Sequence, residues 1–240
     1  MVQIFVPCFI YQLVPQTAVN MVKLLQKAGV EVDYNPKQTC CGQPAFNAGY
    51  WAEANIVAEK FVKDLSQIKA PIVCPSSSCV GYVRSFMQDL VFENPVSNKA
   101  FENVRASIFE LTAYLVDVLG VVDFGARLDA KVTYHDACAA LRECKIKSAP
   151  RKLLANVAGL ELVEMPETDQ CCGFGGTFAV KFEPISVAMA EKKVENALSV
   201  DAEYIISADL SCLMHMQGYI EKKKLPLKVM HIADLLVCEG

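Results

Sequence analysis

The chain has 240 residues, 53% of them hydrophobic, and a net charge of −4, which is enough apolar material for one large domain or two small ones and too much for disorder. Lys and Arg are scattered apart from "EKKK" at 221–224, which argues against a nucleic-acid partner. No stretch reaches the roughly 18 apolar residues of a membrane span, and the apolar start "MVQIFVPCFIYQLVP" lacks a basic n-region and a small-residue cleavage site, so the expected location is the cytoplasm, with peripheral membrane association left open.

From the amino terminus, "VQIFVP" at 2–7 reads as a buried strand, rich in Val and Ile and closed by Pro, and it runs into Cys8. "VEVDYNP" at 30–36 is a second strand, followed by "CCGQPAF" at 40–46 with Cys40, Cys41 and Gly42. In "AEANIVAEKFVKDL" at 52–65, Ala54, Val57, Ala58, Phe61, Val62 and Leu65 fall at i, i+3, i+4 spacing, one face of a helix. "PIVCPS" at 71–76 is a third strand, with Cys79 just beyond it, and "IFELTAYLVDVL" at 108–119 precedes a joint near "GVVDFGARLDA" at 120–130. The order then recurs. "KVTYHD" at 131–136 leads to Cys138, "LELVEMP" at 160–166 leads to Cys171 and Cys172 in "CCGFGGTF", and "YIISAD" at 204–209 leads to Cys212. Between the last two, "ISVAMAEKKVENAL" at 185–198 puts Val187, Ala190, Val194, Ala197 and Leu198 on one helical face.

Laid on itself with an offset of about 130 residues, the chain is a duplication. Between the first cysteine and the doublet lie 31 residues in one half and 32 in the other, and between the doublet and the last cysteine 37 and 39. "KLLQKAGVEV" at 23–32 echoes "KLLANVAGLEL" at 152–162, "AEKFVKDL" at 58–65 echoes "AEKKVENAL" at 190–198, and 108–119 resembles "VMHIADLLV" at 229–237 once an extra stretch around 88–105 is allowed. The expectation is an α/β fold of two pseudo-repeated units, 1–125 and 126–240, each a small, mostly parallel sheet of about four strands flanked by helices.

Eleven cysteines, an odd number, make a fully paired disulfide set impossible, and a reducing compartment favours metal or redox chemistry. Parallel strands deliver Cys8, Cys40, Cys41 and Cys79 to one sheet edge, and Cys138, Cys171, Cys172 and Cys212 to the equivalent edge of the second sheet. A glycine after each doublet permits a tight turn that aims the thiols inward. Adjacent thiolates suit the several metal atoms of a polynuclear cluster better than one tetrahedral ion, so an iron–sulfur centre fits best. Zinc remains the alternative, although its usual C-x2-C knuckles are absent. His215, three residues after Cys212, could ligate or accept a hydrogen bond, where the first half has Tyr82. His135 could lie near the same centre, a histidine at a strand end being the plainer reading. Cys74, Cys144 and Cys238 lack counterparts and read as structural, with Cys74 a spare ligand by its closeness to Cys79. "GFGG" at 173–176 lacks the spacing and Lys of a phosphate loop.

The twofold pattern Cys, CCG, Cys resembles the cysteine-rich CCG domain of heterodisulfide reductase B subunits, glycolate oxidase iron–sulfur subunits and the lactate-utilization protein A family. "CCGQPAFNAGY", "PSSSC", "CCGFGGTFAVK", "SCLMH" and "KVMHIADLL" resemble the last of these, in the same order along nearly the whole chain. The resemblance implies a cytoplasmic iron–sulfur electron-transfer subunit with one cluster, of the 4Fe–4S kind, per repeat, held by the eight cysteines just named. It also implies partner subunits in a complex that oxidises L-lactate or a related 2-hydroxy acid. The heterodisulfide reductase B motif ends in C-x2-C, where this chain has Tyr82 and His215, and ferredoxin-type C-x2-C-x2-C runs are absent, so electrons are expected to enter or leave through partners. The rival readings are a thiol or heterodisulfide reductase subunit that is itself catalytic, and a metal-stabilised binding module with no redox role.

Overall fold

A computed structural model describes residues 1–67, 69–90 and 95–239, with backbone alone at 95 and 96. In the first half, β1 (Val2–Ile4) lies between β2 (Val32–Tyr34) and β3 (Ile72–Cys74), and β4 (Ile108–Glu110) extends the sheet beyond β3, giving the order β2-β1-β3-β4. In the second, β5 (Arg127–Tyr134) lies between β6 (Ala158–Leu162) and β7 (Tyr204–Ser207), with β8 (Lys228–His231) outermost, giving β6-β5-β7-β8. Every pairing is parallel, with Ile4 opposite Val73 and Cys74 opposite Glu110 in one sheet, and Tyr134 opposite Ile206 and Ser207 opposite His231 in the other. The expected pair of four-stranded units is what folds, and both sheets are wholly parallel.

The helices of the first half are α1 (Cys8–Leu13), α2 (Pro15–Lys27), α3 (Gln43–Asn47), α4 (Trp51–Leu65), α5 (Ser77–Ser85), α6 (Pro95–Ser107) and the short α7 (Leu111–Ala113). The second half has α8 (Cys138–Arg142), α9 (Ser148–Leu154), α10 (Phe178–Lys181), α11 (Glu183–Leu198), α12 (Leu210–Lys223) and α13 (Ile232–Leu235). Of the extra stretch around 88–105, part is α6, while residues 91–94 lie outside the described residues. α4 buries Ala54, Ala58, Phe61, Val62 and Leu65 as its spacing predicts, and Val57 is half-buried. α11 departs from its predicted face. Ala190, Val194 and Ala197 are buried, but Val187 and Leu198 are only half-buried and Ser186, Lys193 and Asn196 take their places in the interior. The cause is polar: Lys193 Nζ donates to the carbonyls of Glu167 and Thr168, and Asn196 to that of Pro166, so α11 turns toward the loop before the second doublet.

The halves pack through α5 on α8 and α2 on α13. Thr17 Oγ1 and Asn20 Nδ2 both donate to the Asp234 carboxylate at 2.8 Å, and His231 Nε2 donates to the Pro75 carbonyl at 3.1 Å. Where α5 crosses α8, a Cβ on Gly81 would stand 2.9 Å from Glu143 Cβ, so the helices approach across a position that has no room for a side chain.

Candidate metal centres

Each centre is assembled by three chain passages that end on the same sheet edge. Cys8 and Cys138 begin α1 and α8, directly after the inner strands β1 and β5. Cys79 and Cys212 lie in the first turns of α5 and α12, after the other inner strands β3 and β7. The doublets occupy the loops beyond the edge strands β2 and β6 and end in glycine turns with Gly42 at φ 94° and Gly173 at φ 93°. A Cβ at these positions would lie 3.3 Å from Ala54 O and 2.6 Å from Ser186 O, so conformation and space both require glycine. The turn sorts the two thiols: Cys41 and Cys172 are 1% and 2% exposed, while Cys40 and Cys171 are half-buried. The glycine N–H then donates to the outer sulfur at 3.4 Å in both halves.

All eleven cysteines are free thiols, and the eight expected ligands interact in two groups of four, Cys8, Cys40, Cys41 and Cys79 in one half and Cys138, Cys171, Cys172 and Cys212 in the other. Cys8 donates to Cys40 Sγ at 3.7 Å. Hydrogen bonds from Cys41 and Cys8, helped by the Gly42 N–H, pull the Cys40 thiol down to about 3, and those from Cys138 and Cys172, helped by Gly173, pull Cys171 down to about 2. Cys41 and Cys172, which donate to these thiolates and are desolvated, move upward, as do Cys8 and Cys138. Cys79 falls to about 5 through hydrogen bonds with Cys41 and Cys74. The hydrogen bond with Cys172 lowers Cys212, yet burial and the Asp209 charge carry it upward. Each half is thus a set of sulfurs sharing too few negative charges for their number, which a multiply charged cationic centre would displace protons to fill.

The two histidines are engaged differently. His215 Nε2 is 3.1 Å from Ser186 Oγ and 3.2 Å from Ser186 O, and its engagement is with α11. His135 is fully buried, and among the described residues one of its nitrogens forms with Cys172 and Cys212 the one trio of ligand atoms all within 4.8 Å of one another. Burial holds its proton affinity down to about 4. In the first half, the buried Tyr82 hydroxyl finds no partner among the described residues, and burial and the charges of Cys41 and Cys40 push its pKa up. Cys74, fully buried, hydrogen-bonds with Cys79. Cys144 and Cys238 are engaged elsewhere, with the Ser77 and Asp234 carbonyls.

Three supports were not legible as site residues. Arg151 grips the Asp136 carboxylate through two bonds of 2.8 Å and so holds the segment between His135 and Cys138. Lys193 anchors the loop that leads into Cys171. Asp209, buried between the halves, receives bonds from Ser77, Ser78 and Ser211. Phe9, next to Cys8 in sequence, and Phe174, two residues after Cys172, meet edge to face at 5.9 Å.

The chain matches the CCG cysteine-rich domain family over residues 2–84 and again over 132–217, and all eight expected ligands fall inside those segments. It is 44% identical over 236 residues to a lactate utilization protein A of Exiguobacterium sp., covering 98% of this chain and 96% of that one. It is 40% identical over 235 residues to a lactate utilization protein A of Bacillus pumilus, covering 98% of each. Among solved structures, a hypothetical protein from Helicobacter pylori superposes with a TM-score of 0.65 at 10% identity, covering 99% of this chain and 49% of that one. The chain therefore spans about half of that structure, and the likeness is one of fold.

Proposed function

Since the chain belongs to the lactate utilization protein A family of CCG cysteine-rich domain proteins, we propose that it serves lactate utilization as an iron–sulfur electron-transfer subunit. The repeat 1–125 holds one 4Fe–4S centre through Cys8, Cys40, Cys41 and Cys79, and the repeat 126–240 holds another through Cys138, Cys171, Cys172 and Cys212. The observation that carries this reading is the gathering of four cysteines at the same sheet edge of each half, with each doublet turned by a glycine at positive φ. Such a donor set, with adjacent cysteines split by a glycine turn, fits a polynuclear centre.

Each centre, when bound, supplies a store for one electron. Oxidation of L-lactate or a related 2-hydroxy acid to the 2-oxo acid releases two electrons and two protons, so two one-electron sites in one chain match the stoichiometry. The residues do the rest. Burial of Cys41, Cys79, Cys172 and Cys212 keeps water from the inner sulfurs, and the first turns of α5 and α12 present positive helix ends to the anionic site. Substrate chemistry belongs to partner subunits in a cytoplasmic complex. Exposed Tyr50 and Trp51, with Phe46 stacked on Trp51 at 6.2 Å and edge-on to Tyr82 at 5.4 Å, offer such a partner an aromatic surface beside the first centre. No helix among the described residues is long and apolar enough to cross a membrane.

The test is reduction and reoxidation of protein purified without air, followed by visible absorption and EPR. Reversible bleaching with half-integer-spin signals is the expected result. A colourless protein holding stoichiometric zinc, with nothing reducible, would overturn the electron-carrier reading.

A further inference from the structure

Resting on the iron–sulfur reading above, we propose that His135 is a ligand of the second centre, so that the two halves hold chemically different centres. The first is bound by thiolates alone, and the second by thiolates and one imidazole nitrogen.

His135 follows β5, three residues before Cys138. Its main chain is fully committed: the N–H donates to Ile206 O at 2.8 Å, and the carbonyl accepts from Ser207 Oγ at 3.0 Å. Its ring is not. The side chain is 0% exposed, and among the described residues neither Nδ1 nor Nε2 has a hydrogen-bond partner. A buried imidazole with two unpaired nitrogens carries a desolvation cost that no described residue offsets, and an unpaired buried polar group of this kind calls for a partner from outside the polypeptide. The missing partner has a direction, because the ligand atoms of His135, Cys172 and Cys212 all lie within 4.8 Å of one another.

The repeat supplies the control. Three residues before Cys8 stands Phe5, buried and edge-on to Phe61 at 4.9 Å, a packing residue with nothing to donate. Five residues before Cys79 stands Cys74, buried at the end of β3 with its thiol donating to Ser76 O at 3.6 Å, while the same place before Cys212 holds Ser207, spent on the His135 carbonyl. The second half therefore has, at the end of β5, a nitrogen donor beyond the four shared cysteines, where the first half has the phenyl ring of Phe5. An imidazole brings no negative charge where a thiolate brings one, so replacing His135 by cysteine makes the second centre more anionic and harder to reduce.

The chain has three histidines. His231 uses both nitrogens, Nε2 on Pro75 O and Nδ1 on the Ala233 N–H, and His215 Nε2 is taken by Ser186. His231 is thereby set aside, and in protein labelled with 15N-histidine the His215→Gln variant separates His215 from His135. The experiment is pulsed EPR on the reduced, anaerobically purified full chain, with iron and sulfide counted on the same sample and a redox titration alongside. The expected result is a strong directly bonded 15N coupling that survives His215→Gln and vanishes in His135→Cys, with iron retained and one of the two centres moved downward in potential while the other is unchanged. Iron-loaded protein without that coupling, or coupling that persists in His135→Cys, overturns the assignment. Protein that takes up no iron or sulfide defeats the electron-carrier reading instead. The ligand assignment is then decided with Co2+, where paramagnetically shifted histidine ring signals absent from His135→Ala uphold it, and shifted signals unchanged in that variant, or none at all, overturn it.

Discussion

Asp209 Oδ2 accepts a hydrogen bond from the backbone N–H of Ser78 at 2.8 Å, which ties the second half of the molecule to the helix that carries Cys79. The same carboxylate accepts from Ser77 Oγ at 3.0 Å and, through Oδ1, from Ser211 Oγ at 2.5 Å, while remaining 1% exposed. One buried anion thus caps the starts of both α5 and α12 and sets their separation. Asp209→Ala leaves these donors unpaired in the interior, and a loss of about 3–5 kcal/mol in urea unfolding is expected. A cost within about 0.5 kcal/mol of zero, the usual range for surface changes, would contradict the capping role.

The two doublet glycines differ in how tightly they are enclosed. Gly173→Ala would set a methyl 2.6 Å from Ser186 O, whereas Gly42→Ala would set one 3.3 Å from Ala54 O, both at positive φ. Both substitutions are expected to destabilise by about 1–3 kcal/mol through backbone strain, with Gly173 the costlier. Thermal unfolding of the pair checks the order, and equal midpoints would remove the steric argument.

Glu110 closes β4 with its carboxylate buried, Oε2 accepting from the N–H groups of Thr112 and Ala113 and Oε1 without a partner among the described residues. Burial raises its pKa from 4.5 to about 7. A carboxyl raised on folding favours the folded state below its unfolded pKa, and that contribution is lost as pH rises through the folded value. Stability should therefore fall from about pH 4.5 to about pH 7 by an amount on the order of 3 kcal/mol, superimposed on the other titrations. In Glu110→Gln this component should be missing when denaturation midpoints are compared across the range, and an unchanged pH profile would refute it.

Much of this was legible in one dimension because the repeat is written in its cysteines and its Val- and Ile-rich strands. Strands at 2–7, 71–76 and 204–209 were readable because buried parallel strands need continuous apolar runs. β4 and β8 are four residues or fewer and run straight into helices, so "IFELTAYLVDVL" and "VMHIADLLV" reveal kinship but no strand boundary. The face of α11 was misread because a charged residue at position 193 is assigned to solvent unless its carbonyl partners are known. His135 is the sharper case: a histidine at a strand end looks alike whether its ring is satisfied or idle, and only the three-dimensional surroundings separate the two.

Lys193 is 0% exposed, and its ammonium is held by Glu167 O at 2.5 Å and Thr168 O at 3.0 Å, immediately before the second doublet. Lys193→Met removes both bonds while keeping an unbranched chain, at an expected cost of about 2–4 kcal/mol. The loop that presents Cys171 should loosen, so metal retention should fall in the second half alone. Metal analysis of the variant beside its Cys41→Ser combination checks this. Equal loss from both halves would show that Lys193 supports the whole fold and not that loop.

The central claim is one polynuclear centre per half, held by cysteines at matching sheet edges. The most direct measurement is iron, acid-labile sulfide and zinc per chain in protein purified without air, together with Cys41→Ser and Cys172→Ser variants. About eight iron and eight sulfide, falling by roughly half in each variant, is the predicted result for two four-iron sites. Iron-free protein with stoichiometric zinc unchanged in both variants would contradict it.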